Sequence, residues 1–303
     1  MARKGIILAR YTIARDGQWL TATEQKTVLD QLNLAPPVAY RVRDPQPDDR
    51  VNYIIQPAQR RRQNHKVLTW VVCKGLNQRT VRKVDRRNQS VSFAFEDTDD
   101  CLLARIVALP DLGVMAAEDM SGEGHIGGWS AIKRFQAIAE ALDESIEFSA
   151  SVAGTAQDLD KAISQWDLDK FTFEARPFNP HPSNPGLLLS DLLAKDGIGR
   201  INATAVPKDG AHITPKDEGM VRETIGLAKA GYAVYGAEGT TPSGAEARLK
   251  KPKFSFDRDE NKNRLSGPQQ LRVHVDATED NIVQKFADVL IDFFAPNEDG
   301  DEA

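Results

Sequence analysis

The chain has 303 residues, with 39 Lys plus Arg, 44 Asp plus Glu, 41% hydrophobic residues and two cysteines. This near-average composition excludes wholesale disorder, a collagen repeat and a disulfide-stapled scaffold, and the length suggests about two domains. No apolar run approaches the roughly 18–20 residues of a membrane-spanning helix, and the apolar stretch near the start is too short for a signal peptide. We therefore expect a cytoplasmic protein without membrane insertion, whose cysteines stay reduced.

The first 120 residues have the pattern of a mostly antiparallel sheet subdomain with one helix. A strand is predicted over Lys4–Ile13, and the following helix starts at Thr21, with Glu24 three residues later as the second half of a capping box. Short apolar or alternating runs bounded by turn residues then predict further strands. These strands are Val51–Ile55, Val67–Cys73, Thr80–Val84, Ser90–Glu96 and Cys101–Ala108.

Residues 121–178 have the pattern of a strand–helix–strand subdomain. Apolar residues at helical spacing predict a helix over Ser130–Leu142, and a second helix is capped by Thr155. Strands are predicted at Ile146–Ala153 and Asp169–Arg176. Residues Asn179–Gly186 hold three prolines and a glycine, which suit neither a helix nor a strand, so we interpret 179–186 as a linker.

Residues 187–295 form a C-terminal α+β subdomain in this interpretation, and 296–303 a disordered acidic tail. Its predicted elements are a helix Leu187–Leu193, a strand Arg200–Val206, a helix within Lys216–Lys229, a hairpin from Tyr232–Ala237 to Glu246–Phe256, a strand Leu271–Val275 and a closing helix Glu279–Phe294. The closing helix has an apolar stripe typical of a buried face or an interface. The whole pattern predicts an α+β fold of mixed, mainly antiparallel sheets with flanking helices, in two or three subdomains.

Charge is segregated along the chain, although the formal net charge is only −5. From Asp276 to the C-terminus, nine acidic residues stand against Lys285 alone. Earlier in the chain, ten basic residues stand against Asp85 alone within a segment that we call the basic segment. Its basic residues are Arg60, Arg61, Arg62, Lys66, Lys74, Arg79, Arg82, Lys83, Arg86 and Arg87. Such segregation is typical of a protein with a polyanionic partner or an acidic tail.

The basic segment predicts contacts to nucleic-acid phosphates, which give sequence-independent, salt-sensitive binding. The alternative is a solvated basic face whose charges pair with the acidic C-terminal helix. A second basic group lies on the predicted hairpin, where lysines also protect sheet edges from self-pairing. It consists of Arg248, Lys250, Lys251 and Lys253.

The sequence Gly122–Gly127 fits the G-x-G-x-x-G pattern and precedes a helix, which is where a phosphate can bind backbone amides. However, it lies mid-chain, the residues before it do not form a parallel nucleotide-fold strand, and Glu123 would repel a phosphate. We therefore interpret it as a flexible connector and expect no cofactor.

Catalytic patterns are sparse. The five histidines are scattered, and Cys73 and Cys101 lie on strands without a C-x-x-C partner. The acidic cluster of Glu96, Asp97, Asp99 and Asp100 could bind Mg²⁺ as in a nuclease, but an Asp-rich turn between strands explains it equally.

The order of elements resembles that of RexA-like phage-exclusion proteins and related phage-defence proteins. The resemblance extends from the alternating strand Val91–Phe95 through Leu102–Val107, Phe171–Arg176 and the basic Arg248–Lys253 arm to the terminal amphipathic helix. It covers residues 90–256 loosely. The resemblance implies a cytosolic homodimer that binds double-stranded DNA without strong sequence preference and acts in abortive anti-phage defence. The family offers no catalytic residue to carry over to this chain.

Three hypotheses follow. The first is a non-enzymatic, sequence-nonspecific duplex DNA-binding protein that acts in phage exclusion, as a homodimer with a second defence protein as a further partner. The second is a metal-dependent nuclease effector. The third is an assembly protein whose basic segment binds an acidic protein partner.

Overall fold

The computed structural model describes residues 2–32, 38–39, 51–76, 78–85, 90–97, 100–120, 124–153, 156–177, 188–215, 219–229, 232–251, 253–257, 262–266 and 270–295. Within these residues the chain is an α+β protein, as predicted. It divides into two compact units: an N-terminal unit, Ile6–Val152, and a C-terminal unit, Met1–Gly5 with Ala153–Ala303. The predicted subdomain boundaries stay a prediction.

The N-terminal unit is built on an antiparallel sheet. The strands of the N-terminal unit are β1 (Ala2–Arg15), β2 (Gln18–Trp19), β3 (Val38–Ala39), β4 (Val51–Arg62), β5 (His65–Gly75), β6 (Gln78–Asp85), β7 (Ser90–Asp97), β8 (Cys101–Leu109), β9 (Val114–Glu118) and β10 (Ile146–Val152). The first residues of β1 belong to the C-terminal unit. The sheet has the order β10-β1-β9-β8-β5-β4-β3, and β2 pairs with the end of β1.

A two-stranded arm, β6–β7, is inserted between two neighbouring strands of this sheet. Strands β5 and β8 pair antiparallel up to Gly75 and Cys101, and the chain between them forms the separate β6–β7 ladder. The predicted strands therefore exist, but they belong to two different sheets.

Two helices cover one face of the N-terminal sheet: α1 (Ala22–Gln31) and α2 (Gly128–Leu142). The predicted capping box at the start of α1 is confirmed, with both reciprocal hydrogen bonds of Thr21 and Glu24 present. Phe135 of α2 is fully buried, with its ring centroid 5.0 Å from that of Trp70 and 5.9 Å from that of Phe148. Burial of such rings is the main source of stability for this unit.

In the C-terminal unit, antiparallel sheet strands follow the order β12-β11-β13-β14-β17, and four helices lie within its described residues. Its strands are β11 (Asp167–Ala175), β12 (Ile201–Ala205), β13 (Ala233–Thr240), β14 (Glu246–Lys250), β15 (Lys253–Asp257), β16 (Lys262–Ser266) and β17 (Gln270–Ala277). Its helices are α3 (Ala156–Gln165), α4 (Leu188–Lys195), α5 (Met220–Lys229) and α6 (Ile282–Phe294). Helices α5 and α6 pack against strands of this sheet.

One predicted hairpin needs correction, and one strand was missed. The hairpin of β13 and β14 is present, but it ends at Lys250, because Lys253–Asp257 pairs instead with Lys262–Ser266. In the N-terminal unit, the strand Val114–Glu118 was not predicted, because all five of its residues are buried and no alternation marks it.

The closing helix has the predicted apolar stripe, since Ile282, Phe286, Val289 and Phe293 are all buried. The predicted linker 179–186 and the tail 296–303 lie outside the described residues. Within the described part of the chain, no helix has the length and apolar character needed to cross a bilayer.

Candidate nucleic-acid interface

The first part of the basic segment lies at the turn between β4 and β5. Arg60, Arg61 and Arg62 end β4, and all three side chains are exposed. In the ladder, Arg61 lies opposite Lys66, and Arg62 lies opposite His65. We call Arg60, Arg61, Arg62 and Lys66 the turn group.

Strand geometry divides the turn group between two faces. Directly opposed residues share a face of a sheet and neighbours along a strand alternate, so Arg61 and Lys66 lie on one face and Arg60 and Arg62 on the other. Lys66 is largely neutralised, because its Nζ lies 2.9 Å from Asp30 Oδ1 on α1. Its side chain is only 16% exposed.

The rest of the basic segment lies at the other end of β5. Lys74 follows Lys66 by eight residues on the strand, which is about 27 Å at roughly 3.4 Å per residue. On the β6–β7 arm, Arg79 is in register with Glu96, Arg82 with Phe93 and Lys83 with Ser92. Arg86 and Arg87 lie outside the described residues.

The structure therefore separates the turn group from Lys74 and the arm instead of bringing them together. The register of Arg79 with Glu96 also places a basic position opposite a member of the predicted acidic cluster.

The second predicted basic group lies on the open face of the C-terminal sheet. Along β14, Ala247 and Leu249 are buried, whereas Arg248 and Lys250 are exposed on the opposite face. Lys251 follows the strand. Lys253 begins β15, and its side chain lies outside the described part of the structure.

Two further basic residues, not predicted as site residues, join this face. Lys170 of β11 is in register with Glu238 of β13, which is in register with Arg248 of β14. Arg248 is in turn in register with Arg272 of β17. We call the resulting group the basic face. It consists of Lys170, Arg248, Lys250, Lys251 and Arg272.

Glu238 is the acidic residue at the centre of the basic face. Its Oε1 lies 3.1 Å from Arg248 Nε and 3.9 Å from Lys170 Nζ. One carboxylate thus holds two cations in place without neutralising both. Lys251 Nζ is bound instead by the neutral Asn202 amide, whose Oδ1 accepts at 2.8 Å, so the charge of Lys251 is not cancelled by this contact.

Arg248 and Arg272 are like charges directly opposite each other on neighbouring antiparallel strands. Such a pair destabilises a sheet. Both side chains are exposed, but the paired positions lie closer together than the Debye length of about 8 Å at physiological salt, so salt screens the repulsion only in part. Glu238 compensates part of the charge of Arg248, and a bound anion would relieve the remaining repulsion.

The sequence contains a signal for the solvent-facing side of these strands. In Glu246–Lys250 and in Leu271–Val275, polar and apolar residues alternate, which identifies the solvent face of each strand. The signal did not show which strands are neighbours. Lys170 and Arg272 are distant in sequence and meet Arg248 only through strand pairing.

The first amide of α2, directly after the glycine-rich loop, is already bound by a carboxylate. Asp119 Oδ1 accepts the Gly128 amide at 2.8 Å, and so occupies one of the amides that a phosphate would use. The interpretation of the loop as a flexible connector stays a prediction.

The described residues give little support to a metal site. Among them, no three His, Cys, Asp or Glu side chains come together where they could share an ion. Of the acidic cluster, the structure describes the side chain of Asp100 alone, so the nuclease hypothesis stays a prediction.

Neither a family model nor a curated protein matches the chain. Function is therefore inferred from the charges and geometry described above.

Proposed function

We propose that the protein binds the phosphate backbone of nucleic acid, without sequence preference, through the basic face of its C-terminal sheet. The observation that carries this proposal is the direct opposition of Arg248 and Arg272 on an open, solvent-facing sheet surface. Phosphate contacts from lysine and arginine fix position and supply affinity without reading bases.

The preferred form of nucleic acid in this proposal is the duplex. Proteins that bind single strands combine cations with aromatic side chains on which bases stack. The phenyl rings among the described side chains of the five-stranded C-terminal sheet are Phe171, Phe173 and Tyr235, and all three are buried on the apolar face. Among the described side chains, the basic face therefore offers phosphate contacts but no phenyl or indole ring; the one ring on this face is the half-buried imidazole of His274, two residues from Arg272.

The turn group of the N-terminal unit provides a second set of phosphate contacts in this proposal. Arg60 and Arg61 are exposed, and neither forms an ion pair with any side chain that the structure describes. Edge-strand protection is the competing role for these arginines, because Pro57 and cations on β4 also discourage pairing with other chains.

By its resemblance to RexA-like proteins, we assign the DNA-binding activity to phage exclusion and abortive anti-phage defence in the cytoplasm. A homodimer and a second defence protein belong to the same proposal. These assignments depend on the resemblance and not on the basic face.

Charge reversal on the basic face tests the proposal. The variant carries Lys250→Glu with Arg272→Glu, and the matched control carries Lys26→Glu with Lys195→Glu, an equal charge change at exposed helix positions. Affinity for a labelled duplex is measured between about 50 and 200 mM salt, where each lost phosphate contact lowers the slope of log affinity against log salt by about 0.9.

We expect the basic-face variant to bind the duplex more than tenfold more weakly at low salt, with the slope of log affinity against log salt lowered by about 1.8. The control variant should lose far less affinity and slope. Equal losses of affinity in both variants would show that net charge alone causes the effect, which would contradict the proposal. Native-like binding by the basic-face variant would refute it as well.

A further inference from the structure

A groove of about 220 Å³ opens at the centre of the basic face. It lies across β11, β13 and β14. Its lining residues are Lys170, Thr172, Gly236, Ala237, Glu238, Arg248, Leu249, Lys250 and Lys251. Clefts lined by one sign of charge concentrate the electrostatic field and attract counter-ions.

The floor of the groove lies at Gly236, where the backbone at the end of β14 comes close to β13. A Cβ at this position would lie 2.7 Å from the Lys251 nitrogen and 2.8 Å from the Leu249 oxygen, closer than real Cβ atoms come to backbone. The same Cβ would lie 3.0 Å from Thr172 Oγ1. Glycine within a strand often marks a place where a ligand or another backbone approaches closely.

The walls carry more positive than negative charge. Four cationic side chains line the groove, and Glu238 is the one acidic residue among the lining residues. Glu238 contacts Arg248 and Lys170, which fixes these two side chains at one end of the groove. Lys250 and Lys251 also line the groove, and neither has an acidic partner among the described contacts.

Thr172 adds a neutral donor beside the floor. Its Oγ1 donates to the Gly236 carbonyl oxygen at 3.4 Å, which is long for an O–H···O hydrogen bond. The hydroxyl can therefore turn toward a bound anion at small cost. A hydroxyl and two ammonium groups lining one groove suit the tetrahedral oxygens of a phosphate.

We infer that the groove beside Gly236 is a discrete subsite for a single phosphate group, held by Lys250, Lys251 and the Thr172 hydroxyl. Glu238 acts as a positioning residue for Arg248 and Lys170. This inference rests on the proposed function, in which the phosphate comes from a duplex backbone. The same chemistry would also accept a free phosphate.

The test separates a built subsite from a diffuse basic surface. Lys251→Gln removes one phosphate contact, and it should lower the slope of log affinity against log salt by about 0.9. Thr172→Val removes a neutral donor, and it should weaken duplex binding by about threefold to tenfold with the slope unchanged. Thr172→Ser keeps the hydroxyl and should restore affinity.

A second measurement follows the Gly236 amide by nuclear magnetic resonance during titration with duplex DNA and, separately, with inorganic phosphate. The subsite predicts a shift of this amide with duplex in the native protein and its loss in Lys251→Gln. Thermal unfolding of each variant confirms that the fold is kept.

The outcomes distinguish the subsite from the proposed function. Duplex binding by Thr172→Val at native affinity, with no shift at Gly236, would overturn the subsite and leave the proposed function intact. A native protein that binds no duplex would overturn the proposed function. A Gly236 shift with inorganic phosphate alone would then assign the groove to free phosphate and overturn the backbone assignment.

Discussion

The opposition of Arg248 and Arg272 predicts that one substitution will raise folding stability and weaken DNA binding together. Like charges directly across an antiparallel pair cost about 0.2–1 kcal/mol, so Arg272→Gln should raise the free energy of unfolding by about that amount at low salt. The same substitution removes one phosphate contact and should lower the slope of log affinity against log salt by about 0.9.

Lys250 provides the matched control. Its register partner is Gln270, which is uncharged, so Lys250→Gln relieves no repulsion between directly opposed residues. We expect this control to leave the free energy of unfolding nearly unchanged while it also lowers the salt slope of DNA binding. The contrast separates the repulsion from a general effect of removing a cation.

Salt concentration gives an internal check. At about 1 M salt the Debye length is about 3 Å, shorter than the roughly 5 Å between paired Cβ atoms, so the stability gain of Arg272→Gln should vanish. Urea is the suitable denaturant because guanidinium is itself a salt. A gain that persists in high salt, or no gain at low salt, would refute the explanation by repulsion.

Three further predictions concern the rest of the molecule. Burial raises the pKa of Asp292, whose carboxylate accepts a hydrogen bond from the Ser243 amide. The free energy of unfolding therefore falls as pH rises above the ordinary aspartate pKa. In urea unfolding, Asp292→Asn should gain stability relative to the native protein between about pH 4 and pH 7. Burial also raises the pKa of Cys73 to about 12, so an alkylating reagent at neutral pH should label the half-buried Cys101 and spare Cys73 until the protein unfolds. Phe135→Ala should cost about 3–5 kcal/mol in the free energy of unfolding, because the fully buried ring leaves a cavity.

Each of these has a distinct contrary result. If the difference in free energy of unfolding between Asp292→Asn and the native protein does not change with pH, titration of this carboxylate is not its cause. Equal labelling of both cysteines in the folded protein would contradict the burial of Cys73, and a loss below about 1 kcal/mol for Phe135→Ala would contradict a close-packed core.

The local structure of the chain was predictable where a single element carries its own signal. The capping box at Thr21 and Glu24 is complete within four residues, and α6 shows its apolar stripe from Ile282 onward. Such signals need no knowledge of neighbours. The strand Val114–Glu118 lacked one, because a strand that is buried throughout has no polar face to produce alternation.

The candidate site was predictable only in part, because it depends on which strands are neighbours. The density of arginines in the basic segment suggested a single surface, but strand alternation and the length of β5 divide it. The basic face, in contrast, joins Lys170, Arg248 and Arg272 across three strands, a grouping that adjacent sequence positions do not reveal.

Lysine footprinting with a duplex tests the central claim most directly. The native protein is acetylated with and without duplex DNA, and modification of each lysine is measured by mass spectrometry. The basic face predicts protection of Lys170, Lys250 and Lys251, with Lys26 and Lys195 modified equally in both conditions. Protection of Lys26 and Lys195 without protection of Lys250 and Lys251 would contradict the account.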